Sequence, residues 1–320
     1  MGTVRIAVGP RRRPPHDGPE RERAVGLEWA LEAVRAGGGE PVAVGDPADG
    51  LVWLPPGRPD ELAGLLADQP GLRWVQLPYA GIEAVAGTGL LGDGRTWTCA
   101  KGCYAEPVAE HAVALALASL RHLPERIAAR SWGPSAGTSL YDRAVTIVGG
   151  GGITEELLRL LAPYRVAATV VRRRPDPVAG AARTVTTAEL HSALPGALVV
   201  FVALALTPET VGIIGAPELA AMDSDAVVVN VARGRHVDTA ALAAALASGA
   251  IAGAGIDVTD PEPLPDGHPL WDEPRCIITP HTADTWDMIR PLLARRVTAN
   301  VAHFIAGEPL DGRVDPASGY

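Results

Sequence analysis

Residues 145–175, VTIVGGGGITEELLRLLAPYRVAATVVRRRP, constrain the fold more than any other stretch. An apolar run of strand length, a glycine turn, a helical pattern and a second apolar run follow one another within about thirty residues. That order is the first βαβ unit of a doubly wound nucleotide-binding sheet. In such a turn the first glycine makes the sharp bend. The second lets the backbone approach a pyrophosphate, and the third lets helix and strand pack closely. Gly149 and Gly151 fill the first two places, Gly150 and Gly152 add freedom, and Thr154 stands in the third. The branched Cβ of Thr154 should hold the helix slightly away from the strand, leaving its hydroxyl to act as a cap. Glu155 and Glu156 suit the helix dipole, although their charge lies near a site for an anion.

The second strand of the unit ends in Arg172, Arg173 and Arg174. An NAD site carries an acid there, which accepts hydrogen bonds from the ribose hydroxyls. Arginine cannot accept, but it pairs bidentately with a 2′-phosphate. The expected cofactor is therefore NADP(H), with NAD(H) a possible substitute. The plainer reading of the triplet is a solvated strand end.

Apolar runs of strand length alternate with helical patterns over most of the 320 residues, the pattern of an α/β fold with parallel sheets. Early strands are expected at 4–8, 39–44, 50–54 and 72–77, and a long helix at 105–123. From residue 145 onward, helices are expected at 155–161, 187–194, 217–222 and 239–248. Asp238 and Thr239 are N-cap candidates for the last of these, and Gly249 is a terminator. The helical stretch after His281 contains Pro291, which should kink or divide it. It is expected to return to the first α/β unit. The division is then a discontinuous substrate domain, 1–98 plus 284–320, and a dinucleotide-binding domain, 99–283.

Charge and composition narrow the role. A net charge of −9 argues against nucleic-acid binding. The arginines of residues 11–13 read as part of a Pro-rich solvated loop. Three cysteines, without a C-x-x-C pair, argue against a disulfide framework or a metal site, so no metal is expected. No apolar run approaches the ~20 residues of a membrane span, and the start lacks a signal-peptide core. A soluble, cytoplasmic setting is the expectation.

Three later segments carry polar groups after apolar strands: VVVNVARGRHVDTAAL with Arg233, GAGIDVTDPEPLPDGHPLW with Asp257 and Glu262, and CIITPHTADT with His281. Ligands bind outside the carboxyl ends of parallel strands. Reduction of a 2-keto acid needs a cation for the carboxylate, a proton donor for the carbonyl oxygen and a carboxylate to keep that donor protonated. Arg233, His281 and Glu262 supply these in turn, and histidine titrates near neutrality. Taken singly, each has a plainer reading: a strand-end arginine, a turn-capping acid, a surface histidine. His111, His191, His268 and the other histidines are read as structural or solvated.

VNVARG, AGIDVTDPEPLP and TPHTA, in that order, resemble the D-isomer-specific 2-hydroxyacid dehydrogenases. LRWVQLPYAGIEAV, KGCYAEPVAEHAVAL and LALTPETVGIIG agree with them. The likeness covers roughly residues 72–286 and implies a Rossmann-type cofactor domain inserted into a smaller flavodoxin-like α/β domain. It implies that Arg233 binds and polarises a 2-keto acid, Glu262 keeps His281 protonated and His281 protonates the carbonyl. It places cofactor contacts on Gly149, Gly151, Gly152, Ile153, Thr207, Val231, Ala232 and Asp257, the last on the nicotinamide amide. Substrate contacts fall on Ala80, Gly81, Lys101 and Gly102. A small substrate such as glyoxylate or hydroxypyruvate and a homodimer are the further expectations. A nucleotide-sensing corepressor and a D-3-phosphoglycerate dehydrogenase are the alternatives. Thr154, Asp142, Cys99 and Asp284 depart from the family's usual residues.

Overall fold

The computed structural model describes residues 3–10, 26–55 and 58–315; the arginines at 11–13 lie outside them. Two compact units divide the chain. The first is formed by Met1–Tyr104 and Thr285–Tyr320, the second by Ala105–Asp284. The junctions come slightly later than expected, for a local reason. The amide of Cys99 donates to Gly312 O and that of Ala100 to Tyr79 O, while the Tyr104 hydroxyl donates to Pro78 O. These bonds tie residues 99–104 to the first unit.

In the first unit, β1 (Arg5–Val8), β2 (Glu40–Ala43), β3 (Gly50–Val52), β4 (Trp74–Gln76) and β5 (Thr96–Thr98) form a parallel sheet. Its order, β2-β1-β3-β4-β5, is that of flavodoxin. Buried Trp53, Trp74 and Trp97 anchor it, and the Trp74 indole donates to Thr98 Oγ1 at 2.8 Å. β5 was not expected, because Thr-Trp-Thr is too short to show a period. The helix Trp286–Ala306 returns to this unit, burying Leu292, Leu293, Val297 and Val301. Pro291 does not divide it: one missing N–H is tolerated while the buried face runs on.

The second unit has seven parallel strands: β6 (Ala144–Val148), β7 (Ala167–Arg172), β8 (Arg183–Thr186), β9 (Val199–Val202), β10 (Val227–Asn230), β11 (Gly253–Ile256) and β12 (Cys276–Ile278). The order β12-β11-β10-β9-β6-β7-β8 reverses beside β6, as in a Rossmann sheet. β9, β10 and β11 are buried along their whole length, which is why they read as valine-rich or small-residue runs without alternation. β8 was missed because Val185 is its single buried residue. The helix Thr239–Ser248 forms as expected: the Asp238 carboxylate accepts from the amides of Ala240 and Ala241, and Gly249 ends it at φ +72°.

Candidate active site

Strand register brings the chemistry to one edge of the second sheet. Val148 pairs with Val171 and Val202, Val202 with Asn230, Asn230 with Ile256, and Ile256 with Ile278. The residues that follow are Gly149, Arg172, Ala203, Val231, Asp257 and Thr279. They form one lateral row at the carboxyl ends. β6 and β12 lie four strands apart, about 19 Å, so the glycine turn and His281 stand at two ends of an extended binding edge.

At one end the glycine turn is built for close approach. Gly149 has φ +135°, and a Cβ there would meet Ala203 O at 2.1 Å. Gly151 caps the helix Gly152–Leu161, with open space where its Cβ would be. The amides of Gly152 and Ile153 lie in the first turn, where a helix has no acceptor of its own to offer, an arrangement suited to an anion. Arg172 crosses the turn: a Cβ on Gly150 would meet its Cδ and Nε at 2.9 Å. Arg173 and Arg174 are exposed. The bare turn and the cations at the end of β7 fit a phosphorylated dinucleotide. Thr154 does not cap the helix as its sequence position suggested. Its side chain is fully buried, and Oγ1 has no hydrogen-bond partner. It faces the packed side of the helix, where the capped amides cannot be reached, and the orphan hydroxyl costs about 1–3 kcal/mol.

Further along, buried Asn230 shapes the turn after β10. Its amide donates to Arg233 O and its Oδ1 accepts from the Ala232 amide. Buried His236 accepts the Arg233 amide at Nδ1 and so carries its proton on Nε2, which faces Ala205 O at 3.3 Å. Gly234 lets this turn touch the next: a Cβ there would lie 1.8 Å from Thr259 O. Thr239 Oγ1 donates to Asp260 O. The Arg233 turn and the loop carrying Glu262 are thereby held side by side. In this loop Glu262 Oε1 lies 2.6 Å from His281 Nδ1. Both side chains are accessible, at 43% and 45% exposure.

Asp257 organises the turn that presents His281. Its Oδ1 accepts from Thr279 Oγ1 at 2.5 Å and the Thr282 amide at 2.9 Å, and its Oδ2 from the Ala283 amide at 3.0 Å. His111 Nε2 contacts Thr279 Oγ1 at 2.9 Å and lies 3.5 Å from Asp257 Oδ1. Burial works against the Asp257 charge, but these bonds outweigh it and hold its carboxyl below the usual range. His281 takes a left-handed φ of +52°, with its amide shared between Asp257 O and Thr279 O. Sequence reading set His111 aside and missed Thr279 and Asn230; each acts through a contact with no periodicity to announce it.

Thr207 lies in the loop after β9, its amide donating to Thr210 Oγ1. Ala80, Gly81, Lys101 and Gly102 belong to the first unit, in the loops after β4 and β5. The Gln76–Thr98 register sets those loops side by side, Gly102 has φ +74°, and Lys101 O accepts from Arg296.

A family model described as "D-isomer specific 2-hydroxyacid dehydrogenase, NAD binding domain" matches residues 113–283. A curated protein of Corynebacterium melassecola, named only as an uncharacterized protein in the proB 3′ region, is 40% identical over 256 residues, 78% of this chain and 84% of that one. Glyoxylate/hydroxypyruvate reductase A of Klebsiella pneumoniae is 31% identical over 296 residues, 86% and 88% of the two chains. Among solved structures, a D-isomer specific 2-hydroxyacid dehydrogenase of Xanthobacter autotrophicus in complex with NADPH and MES superposes with TM-score 0.80 at 28% identity, covering all of both chains. An NADPH-dependent glyoxylate/hydroxypyruvate reductase of Sinorhizobium meliloti in complex with NADP and sulfate gives 0.76 at 25%, again over both whole chains. The chain belongs to the D-isomer-specific 2-hydroxyacid dehydrogenase family. It is an NAD(P)-dependent oxidoreductase with a Rossmann cofactor domain.

Proposed function

We propose that this protein reduces small 2-keto acids, of the size of glyoxylate or hydroxypyruvate, with NADPH as the preferred donor and NADH a weaker one. The observation that carries this reading is the His281–Glu262 contact of 2.6 Å on the same sheet edge as Arg233 and the glycine turn. NADPH, when bound, supplies the hydride to C2.

The remaining roles fall to the chain's own groups. Gly149, Gly151, Gly152 and Ile153 give bare backbone and helix amides to a pyrophosphate, and Arg172, Arg173 and Arg174 answer a 2′-phosphate. Thr207, Val231 and Ala232 line the edge between. Arg233 holds the substrate carboxylate and polarises the carbonyl. His281, braced by Glu262 at Nδ1, gives the Nε2 proton to the carbonyl oxygen. Asp257 takes the nicotinamide amide through the lone pairs left on Oδ2. The family resemblance assigns Ala80, Gly81, Lys101 and Gly102, all in the first unit, the role of hydrogen-bond donors to the substrate carboxylate.

Relatives at this similarity are named as glyoxylate/hydroxypyruvate reductases, which supports the substrate class. Those reported above support neither the corepressor reading nor phosphoglycerate oxidation. No described helix is long and apolar enough to cross a membrane; a cytoplasmic setting is part of the proposal. So is a homodimer formed through the helix Leu123–Ala128 and the segment after it, where Ile127 is 78% and Trp132 99% exposed.

The test is a parallel fluorescence titration with NADPH and NADH, followed by cofactor oxidation with a panel of 2-keto acids. Tighter NADPH binding and turnover of at least one small keto acid are expected. Folded protein that binds neither cofactor, or turns over no keto acid, overturns the reading.

A further inference from the structure

The turn that presents His281 carries a second acid the reaction above does not use. Asp257 grips the amides of Thr282 and Ala283, so the backbone that leads to Asp284 is fixed. Ala283 is buried and Asp284 half-buried. The Asp284 carboxylate accepts no hydrogen bond among the described residues, yet it lies within electrostatic reach of His281, Arg233 and Asp257. Burial raises its carboxyl above the ordinary value; the charge of Asp257 adds to this, and His281 and Arg233 oppose it.

A half-buried carboxylate without a hydrogen-bond donor carries a desolvation cost that the charges of His281 and Arg233 offset only in part. The two cations that act on it are committed: in the proposed reaction Arg233 faces the substrate carboxylate and His281 faces Glu262 and the carbonyl. A substrate side chain that reaches Asp284 meets an acceptor with spare lone pairs. A hydroxyl or ammonium there gains a charge-assisted hydrogen bond, a methyl group gains nothing, and a second carboxylate is repelled.

We propose that Asp284 is a specificity-determining residue that selects 2-keto acids bearing a hydrogen-bond donor beyond C2 and rejects those bearing a second acid. The inference rests on the reductase reading and names the substrate class within it. Hydroxypyruvate and 2-oxobutyrate make the comparison, since a hydroxyl replaces a methyl at nearly constant size. Oxaloacetate supplies the second acid. Loss of a hydrogen bond to a charged group corresponds to about a tenfold change or more.

The experiment measures kcat/KM for the three substrates with the wild type, Asp284→Ala and Asp284→Asn. The wild type favours hydroxypyruvate over 2-oxobutyrate by about tenfold or more, and D284A brings the ratio close to one. D284N keeps an acceptor oxygen and restores part of the hydroxyl preference, but like D284A it gains activity on oxaloacetate because the repelling charge is gone. Thermal melting is recorded alongside: either variant should melt at or above the wild-type temperature, because a half-buried charge without a hydrogen-bond donor is removed. Unchanged substrate ratios in active D284A overturn the role in specificity. A drop in melting temperature overturns the premise that the carboxylate lacks a partner. Absence of turnover by all three proteins with every substrate instead sinks the reductase reading, which keeps the two failures apart.

Discussion

Asp257→Asn is a demanding test of how the turn that presents His281 is held. The amide oxygen can replace Oδ1 and still accept from Thr279 and Thr282, but the NH2 group then points at the Ala283 amide, which the wild-type Oδ2 accepts at 3.0 Å. Ala283 is buried, so water cannot rescue the displaced donor. One orphaned donor costs about 1–3 kcal/mol, and two charge-assisted bonds become neutral ones, each weaker by about 1 kcal/mol. The whole comes to about 3–5 kcal/mol. With a urea slope of about 2 kcal/mol/M the unfolding midpoint of the second unit should fall by about 2 M. Hydrogen exchange in a peptide covering 279–284 should quicken first. The sign of the pH effect follows from the depressed carboxyl. The unfolded chain binds the proton more readily, so the stabilisation is present above the ordinary carboxylate value of about 4. It is lost as pH falls from there through the lower folded value. The Asn variant lacks this part of the acid dependence. A midpoint within about 0.5 M of wild type, or the same acid dependence in both proteins, refutes the account.

Other outcomes follow from the same geometry. His281→Ala should cut kcat by about 10²–10⁴-fold while NADPH affinity stays near wild type; equal losses of both, measured by steady-state kinetics and fluorescence titration, would contradict the proton-donor role. Gly149→Ala places a Cβ 2.1 Å from a backbone oxygen at a φ of +135°. NADPH binding should weaken by about tenfold or more, and an unchanged titration would show that the turn has room the structure denies it. Ile127→Glu puts a charge on the exposed apolar segment and should shift the protein toward monomer in light scattering; a wild type that is already monomeric rules out the dimer.

Much of this was legible in the chain because parallel α/β units write themselves plainly. The strand, glycine turn, helix and strand of 145–175 stand where the order of residues put them, and Asp238 and Gly249 bound their helix as their types dictate. Arg233, Glu262 and His281 could be singled out because each follows an apolar strand. What was not legible depends on side-chain direction. Thr154 read as a cap but turns its hydroxyl into the packing layer, and β5 and β8 are too short and polar for period-2 alternation. His111 looks like any histidine on an apolar helix until the fold carries it to Thr279, 168 positions away in the chain.

The proposed proton donor hangs from the outermost strand of its sheet. β12 is three residues long, only partly buried, and paired on one side alone, to β11. The glycine turn instead follows β6, flanked by strands on both sides. Fraying of the rim would therefore disable chemistry before it touched nucleotide capture, and gentle heating should leave a protein that still quenches on adding NADPH yet no longer consumes it.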